Sequence, residues 1–241
     1  AALIIVVVYA VIFIFSFLQM PIVGAILSYL GVLAILPLAI HGSYRYRMSR
    51  TSWRGIRFGY RGNRNELIKM FIIGTLLTII TLGIYGIWFA IKLRNYLISH
   101  IKAGDVEFKS EAGGTDYFLL FLKGYLLTIV TLGIYVFWWQ KDMFEFYVES
   151  VTLHKGDKKI HLKSSATAGG FFRLLMGNML LIVFTFGIGY AWAVMRSSRF
   201  VTSNIKLEGD IDVNAISQTE ENYKDATGED MADFFDIDFI F

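Results

Sequence analysis

Hydrophobic residues run along most of this chain in long blocks, and only briefly in the alternation expected of strands. Leu3–Leu18 and Ile22–Ile40 are two apolar runs broken at Gln19-Met20-Pro21, each near the roughly 20 residues needed to cross about 30 Å of hydrocarbon. They predict a transmembrane hairpin over residues 1–44. The first run is too long for a signal-peptide core, lacks a basic leader and begins without Met, so sequence is expected to be missing upstream. Residues 45–64 follow as a basic connector carrying Arg45, Arg47, Arg50, Arg54, Arg57, Arg61 and Arg64. The bias of Lys and Arg toward the inner side of membranes puts this connector in the cytoplasm.

The blocks beyond residue 64 then repeat. Leu76–Trp88 returns as Leu126–Trp138 with 10 of 13 positions identical, and a third copy spans Thr185–Trp192. Each copy follows an apolar limb and precedes one that becomes polar within a few turns. The motif offers a Gly where a helix must end, with Tyr and Trp suited to a bilayer interface. Its residues are Thr81, Gly83, Tyr85 and Trp88; Thr131, Gly133, Tyr135 and Trp138; and Thr185, Gly187 and Trp192. The pattern predicts three short helical hairpins over 65–105, 106–155 and 156–207, before a tail over 208–241. Short alternating stretches, Ile56-Arg57-Phe58, Val106-Glu107-Phe108, Ile160-His161-Leu162 and Ile205-Lys206-Leu207, predict small cytoplasmic strands between hairpins. The expected fold is thus an all-α polytopic membrane protein of about eight segments, with short cytoplasmic β segments.

Composition agrees with a membrane chain. Hydrophobic residues make up 55% of the 241 positions and charged ones 18%, against 25% in an average soluble domain. The net charge of +3 conceals an asymmetry, because residues 1–205 hold 21 Lys+Arg and 9 Asp+Glu while residues 206–241 hold 2 and 11. The basic groups flank apolar runs, which the positive-inside rule explains without nucleic acid. With no Cys, disulfides, thiolate catalysis and Cys-ligated metals are excluded.

The stretch Arg45-Tyr46-Arg47-Met48-Ser49-Arg50-Thr51-Ser52-Trp53-Arg54-Gly55-Ile56-Arg57-Phe58, the repeated Thr-Leu-Gly-Ile-Tyr-x-x-Trp and the Gly209-Asp210-Ile211-Asp212 exit into an acidic tail resemble the YjgN-like family of bacterial inner-membrane proteins, a domain of unknown function. The resemblance covers nearly the whole chain. It implies a multi-pass protein of the bacterial inner membrane, with its C-terminus in the cytoplasm, and implies no reaction.

Polar chemistry concentrates in the second limbs. Their apolar stretches, Ile84–Ile91, Ile134–Trp139 and Ile188–Met195, amount to about 9–12 Å of helix. Positions 11, 14 and 18 after the motif Thr read Lys92, Asn95, Ser99; Asp142, Glu145, Glu149; and Arg196, Arg199, Ser203, a spacing that keeps each set on one helix face. Second limbs packed around a shared axis would pair Asp142 and Glu145 with Lys92, Arg196 and Arg199. Two readings stay open. The stripe lines a vestibule that binds or transports a solute, ion or lipid head group, or it is a structural polar core in a subunit of a larger membrane complex.

Other chemistry is thin. His41, His100, His154 and His161 lack ligand spacing, so no metal is expected. No nucleophile elbow, acid–base pair or cofactor fingerprint occurs, and no enzyme activity is expected. Asn178, within the third apolar limb, suits a bond to a neighbouring helix. The expected partners are membrane lipids. The ending Asp233-Phe234-Phe235-Asp236-Ile237-Asp238-Phe239-Ile240-Phe241 should dock on its own chain or on another protein, because its apolar groups seek burial while its acids favour basic loops.

Overall fold

The structure is a computed structural model that describes residues 21–209. The predicted first span, Leu3–Leu18, and the acidic-aromatic ending lie outside the described residues. A long helix opens the described chain, α1 (Pro21–Ser49), followed by three units of the same order. The first has strands β1 (Ser52–Trp53) and β2 (Ile56–Tyr60), then helices α2 (Arg64–Ile80) and α3 (Gly86–Ser99). The second has β3 (Ile101–Ala103), β4 (Val106–Ser110), α4 (Gly114–Val130) and α5 (Val136–Glu149). The third has β5 (Val151–Lys155), β6 (Lys158–Ser164), α6 (Ala168–Phe184) and α7 (Tyr190–Ser203), after which β7 (Ile205–Glu208) closes the series.

The strands form one seven-stranded antiparallel meander in the order β1-β2-β3-β4-β5-β6-β7. Tight turns at Gly55, Gly104 and Gly156, each at positive φ, join β1 to β2, β3 to β4 and β5 to β6. The other three strand pairs are joined through helical hairpins, whose limbs run out and return to the strand ends they left. One backbone bond closes each hairpin base: the amides of Arg61, Glu111 and Ser165 donate to the carbonyls of His100, Ser150 and Asn204 at 2.8, 3.0 and 2.9 Å. Register places Phe58, Val106, Phe108, Leu153, Ile160 and Leu162 on one sheet face, where Val106, Leu153 and Ile160 form a buried cluster. Lys102, Glu107, Lys109, His154, Lys159, His161 and Lys163 share the opposite face.

This architecture corrects the all-α expectation. Among the described residues there are seven helices together with seven strands, and one helix, over residues 22–49, is long and apolar enough to cross a membrane. The hairpin limbs are helices of 17 and 14 residues, about 26 and 21 Å long and short of the hydrocarbon thickness. The short alternating stretches are the spine of the sheet: they lie in β2, β4, β6 and β7, and each gains a neighbouring strand from across a β-turn or a helical hairpin.

The helices pack in a row. α1 touches α2, and each later helix touches the one before it and the one after it, so the second limbs α3, α5 and α7 are separated by the first limbs of the next units. Inside each hairpin the close approach is made by matched volumes. Gly74 leaves room for the Phe89 ring and Gly124 for the Trp139 indole, whereas the third hairpin has Asn178 facing Ala193. These residues stand seven before and eight after the motif Thr in each copy. Asn178 donates to the Ala193 carbonyl at 3.4 Å and to Ser197 Oγ at 3.0 Å. In each hairpin a small residue on one limb faces a bulkier one on the other. Where α1, β2, α2 and α3 meet, Tyr60, Leu67, Tyr96 and Leu97 are buried with Ile40, Tyr44 and Met48 against them.

Candidate functional site

The three hairpin tips are built alike. Thr81 Oγ1 donates back to the Leu77 carbonyl at 2.7 Å and accepts the Tyr85 amide at 2.9 Å, so one hydroxyl ends the first helix and starts the second. Thr131 does the same with Leu127 and Tyr135, and Thr185 with Leu181 and Gly189. The amides of Gly83, Gly133 and Gly187 reach the carbonyls of Thr78, Thr128 and Ile182 at 2.7, 2.7 and 2.8 Å, while those of Leu82, Leu132 and Phe186 reach back three residues. This is a Schellman closure, whose first residue past the helix must be left-handed and is ordinarily Gly. Here that position is occupied by Leu82, Leu132 and Phe186 at φ 52, 51 and 52°, with the motif Gly one residue later, also at positive φ.

These apex side chains meet nothing within the described chain. Leu82 and Leu132 are 94% exposed and Phe186 96%. Ile80 and Ile84, Val130 and Ile134, and Phe184 and Ile188 flank them and are also exposed. A left-handed residue with a Cβ costs about 1 kcal/mol or more, and no contact inside the protein offsets it. Each tip is therefore a strained, fully presented apolar knob, carried some 20–25 Å from the helix bases on paired helices.

The polar stripe resolves into local bonds. Asn95 accepts from Ser110 Oγ at 2.8 Å and donates to the Ala112 carbonyl at 2.9 Å, which ties α3 to the joint between β4 and α4. Asp142 and Glu145 pair with Lys141 of their own helix, Asp142 at 3.4 Å. Lys92 Nζ lies 3.4 Å from the OH of Tyr85, the residue that precedes its own helix. Arg196 and Arg199 are exposed, the former lying across Gly177, where a Cβ would come within 2.7 Å of Nη2. The shared axis expected for these groups is absent because first limbs intervene in the row.

A residue outside the expected stripe, Arg94, does more. Its guanidinium donates to Ser110 Oγ at 2.8 Å, to Ser150 Oγ at 3.1 Å and to the Tyr147 carbonyl, and lies 4.7 Å from the Tyr147 ring centroid. It joins the first unit to both ends of the second. Its counterparts in the other copies are Phe144 and Ser198, so alignment of the copies hides it.

A second group gathers at the base of α1, where the Tyr60 ring sits edge-on to His41 at 5.4 Å and near His100 at 6.5 Å. Burial pushes the Tyr60 phenol well above its ordinary value. His41 is bonded at the Gly62 carbonyl, His100 at the Tyr96 carbonyl and His154 at Thr152 Oγ1, while His161 is exposed on the sheet. Among the described residues, no group of three or more His, Asp or Glu could hold a metal ion.

The described chain is thus an antiparallel meander that carries three helical hairpins with exposed apolar apices. The chain belongs to the bacterial family of unknown function DUF898, which matches residues 2–125 and 139–234 and includes the YjgN-like proteins. No curated protein and no solved structure matches it.

Proposed function

We propose that this protein is a non-catalytic structural element of a bacterial inner membrane, whose three hairpin tips are embedded in lipid while the sheet and basic connector remain at the aqueous surface. The observation that carries this reading is the identity and exposure of Leu82, Leu132 and Phe186 at a position that favours Gly. In water these side chains only add strain, about 1 kcal/mol per tip. In hydrocarbon each gains about 1.5–3 kcal/mol from burial, so lipid reverses the balance. The apolar helix over residues 22–49 has its last turns packed at the base of the first hairpin through Ile40, Tyr44 and Met48, which supports a common orientation. The bonds of Asn95, Asp142 and Glu145, and the row that keeps the second limbs apart, favour a structural polar core over a solute pathway.

The chain has no Cys, so single thiols introduced as Leu82→Cys, Leu132→Cys and Phe186→Cys can each carry a fluorophore in reconstituted vesicles. All three should be quenched by nitroxides on lipid acyl chains and shielded from aqueous iodide, with Lys163→Cys on the sheet showing the reverse. Iodide quenching at the tips equal to that at the sheet would overturn the reading.

A further inference from the structure

We propose that the three hairpins enter one leaflet only, with their tips stopping near the bilayer midplane and a belt of Lys and Arg seated on the anionic phospholipid head groups of that leaflet. This depth rests on the lipid-embedded reading of the tips. Counted from the tip, the first charged residue on all six limbs is a base: Lys69 and Lys92, Lys123 and Lys141, Arg173 and Arg196. The acids of the limbs, Glu66, Asp116, Asp142, Glu145 and Glu149, all lie farther from the tip than the first base of their own limb. With 23 Lys+Arg and 20 Asp+Glu in the chain, composition alone does not impose one sign on six limbs. Five of the six bases are exposed; Lys141 is partly buried and pairs with Asp142 and Glu145.

The height of the belt fixes the depth. Lys69 and Arg173 stand 11 residues from the tip ends of their helices, and the other four stand five to seven, which is about 8–17 Å along the axis. Half of the hydrocarbon thickness is about 15 Å, and Lys and Arg carry their charge further on flexible stems. Tips at the midplane therefore bring these charges to the phosphates of the near leaflet. Tips at the far surface would leave the same charges around the bilayer centre, the costliest depth for them. Glu66 and Asp116, 14 residues from their tip ends, stand about 21 Å out and so clear of the hydrocarbon. Five exposed cations with no acid between them and the tips complement anionic head groups, which the cytoplasmic leaflet supplies.

The test uses the full-length protein in vesicles of phosphatidylcholine and phosphatidylglycerol. A fluorophore on Leu132→Cys should be quenched most by a nitroxide near the acyl-chain end and less by one near the head group. Strongest quenching by the head-group nitroxide would overturn the single-leaflet depth while leaving the tips in lipid; quenching by neither would remove the lipid-embedded tips themselves. Spin-labelled phosphatidylglycerol should be immobilised by the protein at least about twofold more than spin-labelled phosphatidylcholine. Lys69→Gln, Lys92→Gln, Lys123→Gln, Arg173→Gln and Arg196→Gln combined should lower that preference by about half, whereas Lys109→Gln with Lys159→Gln on the charged sheet face should leave it unchanged. No preference in the wild type, or an equal fall in the two variants, would overturn the belt. The depth is read at a single substituted site, so poor folding of the combined variant does not shield the proposal.

Discussion

Replacing Gly124 by alanine puts a methyl group where the Trp139 indole already lies. A Cβ at this position would stand 2.3 Å from Cδ1 and 2.4 Å from Cγ of that ring, against about 3.5–4.0 Å for comfortable carbon contact. The limbs must part by more than an ångström, or the indole must leave its rotamer and its edge-on contact with Phe121 at 5.4 Å. Overpacking of this kind costs about 1–3 kcal/mol, and the lost aromatic contact adds about 0.5–1.5 kcal/mol, so Gly124→Ala should destabilise by roughly 2–4 kcal/mol. Trp139→Ala alone should cost about 3–5 kcal/mol through the cavity it opens. Without the indole the added methyl meets no ring, so the double variant should lose at least 1 kcal/mol less than the sum of the singles. The cycle is measured by thermal or urea unfolding of the four proteins in one detergent. An unchanged midpoint for Gly124→Ala, or strictly additive losses, would refute the packing account.

Two further outcomes follow from the polar contacts. Arg94→Ala should cost about 2–4 kcal/mol, because it strips a charged fork from two hydroxyls and a carbonyl at the junction of two units; Arg94→Lys should recover only part, and an unfolding midpoint within error of wild type would count against the junction. The hydrogen bond from Lys102 holds the Glu107 carboxyl below its ordinary value. Its stabilisation is therefore complete above the unfolded value of about 4.3 and lost as pH falls through the folded one. Lys102→Gln should flatten the acid limb of the stability profile, and an identical limb in both proteins would remove this pair from the account.

The tips were legible in the sequence because their bonds are local: a Thr hydroxyl four residues from both its partners leaves the same trace in every copy. Even so, the left-handed position fell on Leu82, Leu132 and Phe186 and not on the conspicuous Gly, since the closure counts from the last helical residue. Strands β2, β4, β6 and β7 showed as alternation. Their partners β1, β3 and β5 did not: β1 and β3, of two and three residues, exist only through their neighbours, and Ile101-Lys102-Ala103 reads equally well as the end of a helix, whereas Val151–Lys155 follows α5 without a break and reads as part of its hairpin. Nor could hydropathy distinguish hairpins that stand side by side from hairpins that ring an axis. That distinction rests on contacts between hairpins, those of Arg94 with Ser110, Ser150 and Tyr147, of Trp88 with Phe118 and of Phe137 with Phe172, all of which are non-local.

The row of helices has one more consequence. Among the described residues the main helix packing runs from each member to its neighbours in the row, so this part of the fold has no single centre on which all its helices converge. Duplication or loss of a strand–hairpin module would keep the neighbour packing but would have to preserve or replace the junction that Arg94 makes, since Phe144 and Ser198 stand at its place in the other copies. Neighbour packing makes such a row open to lengthening or shortening by whole modules, and the unlike junctions mark where that freedom is restricted.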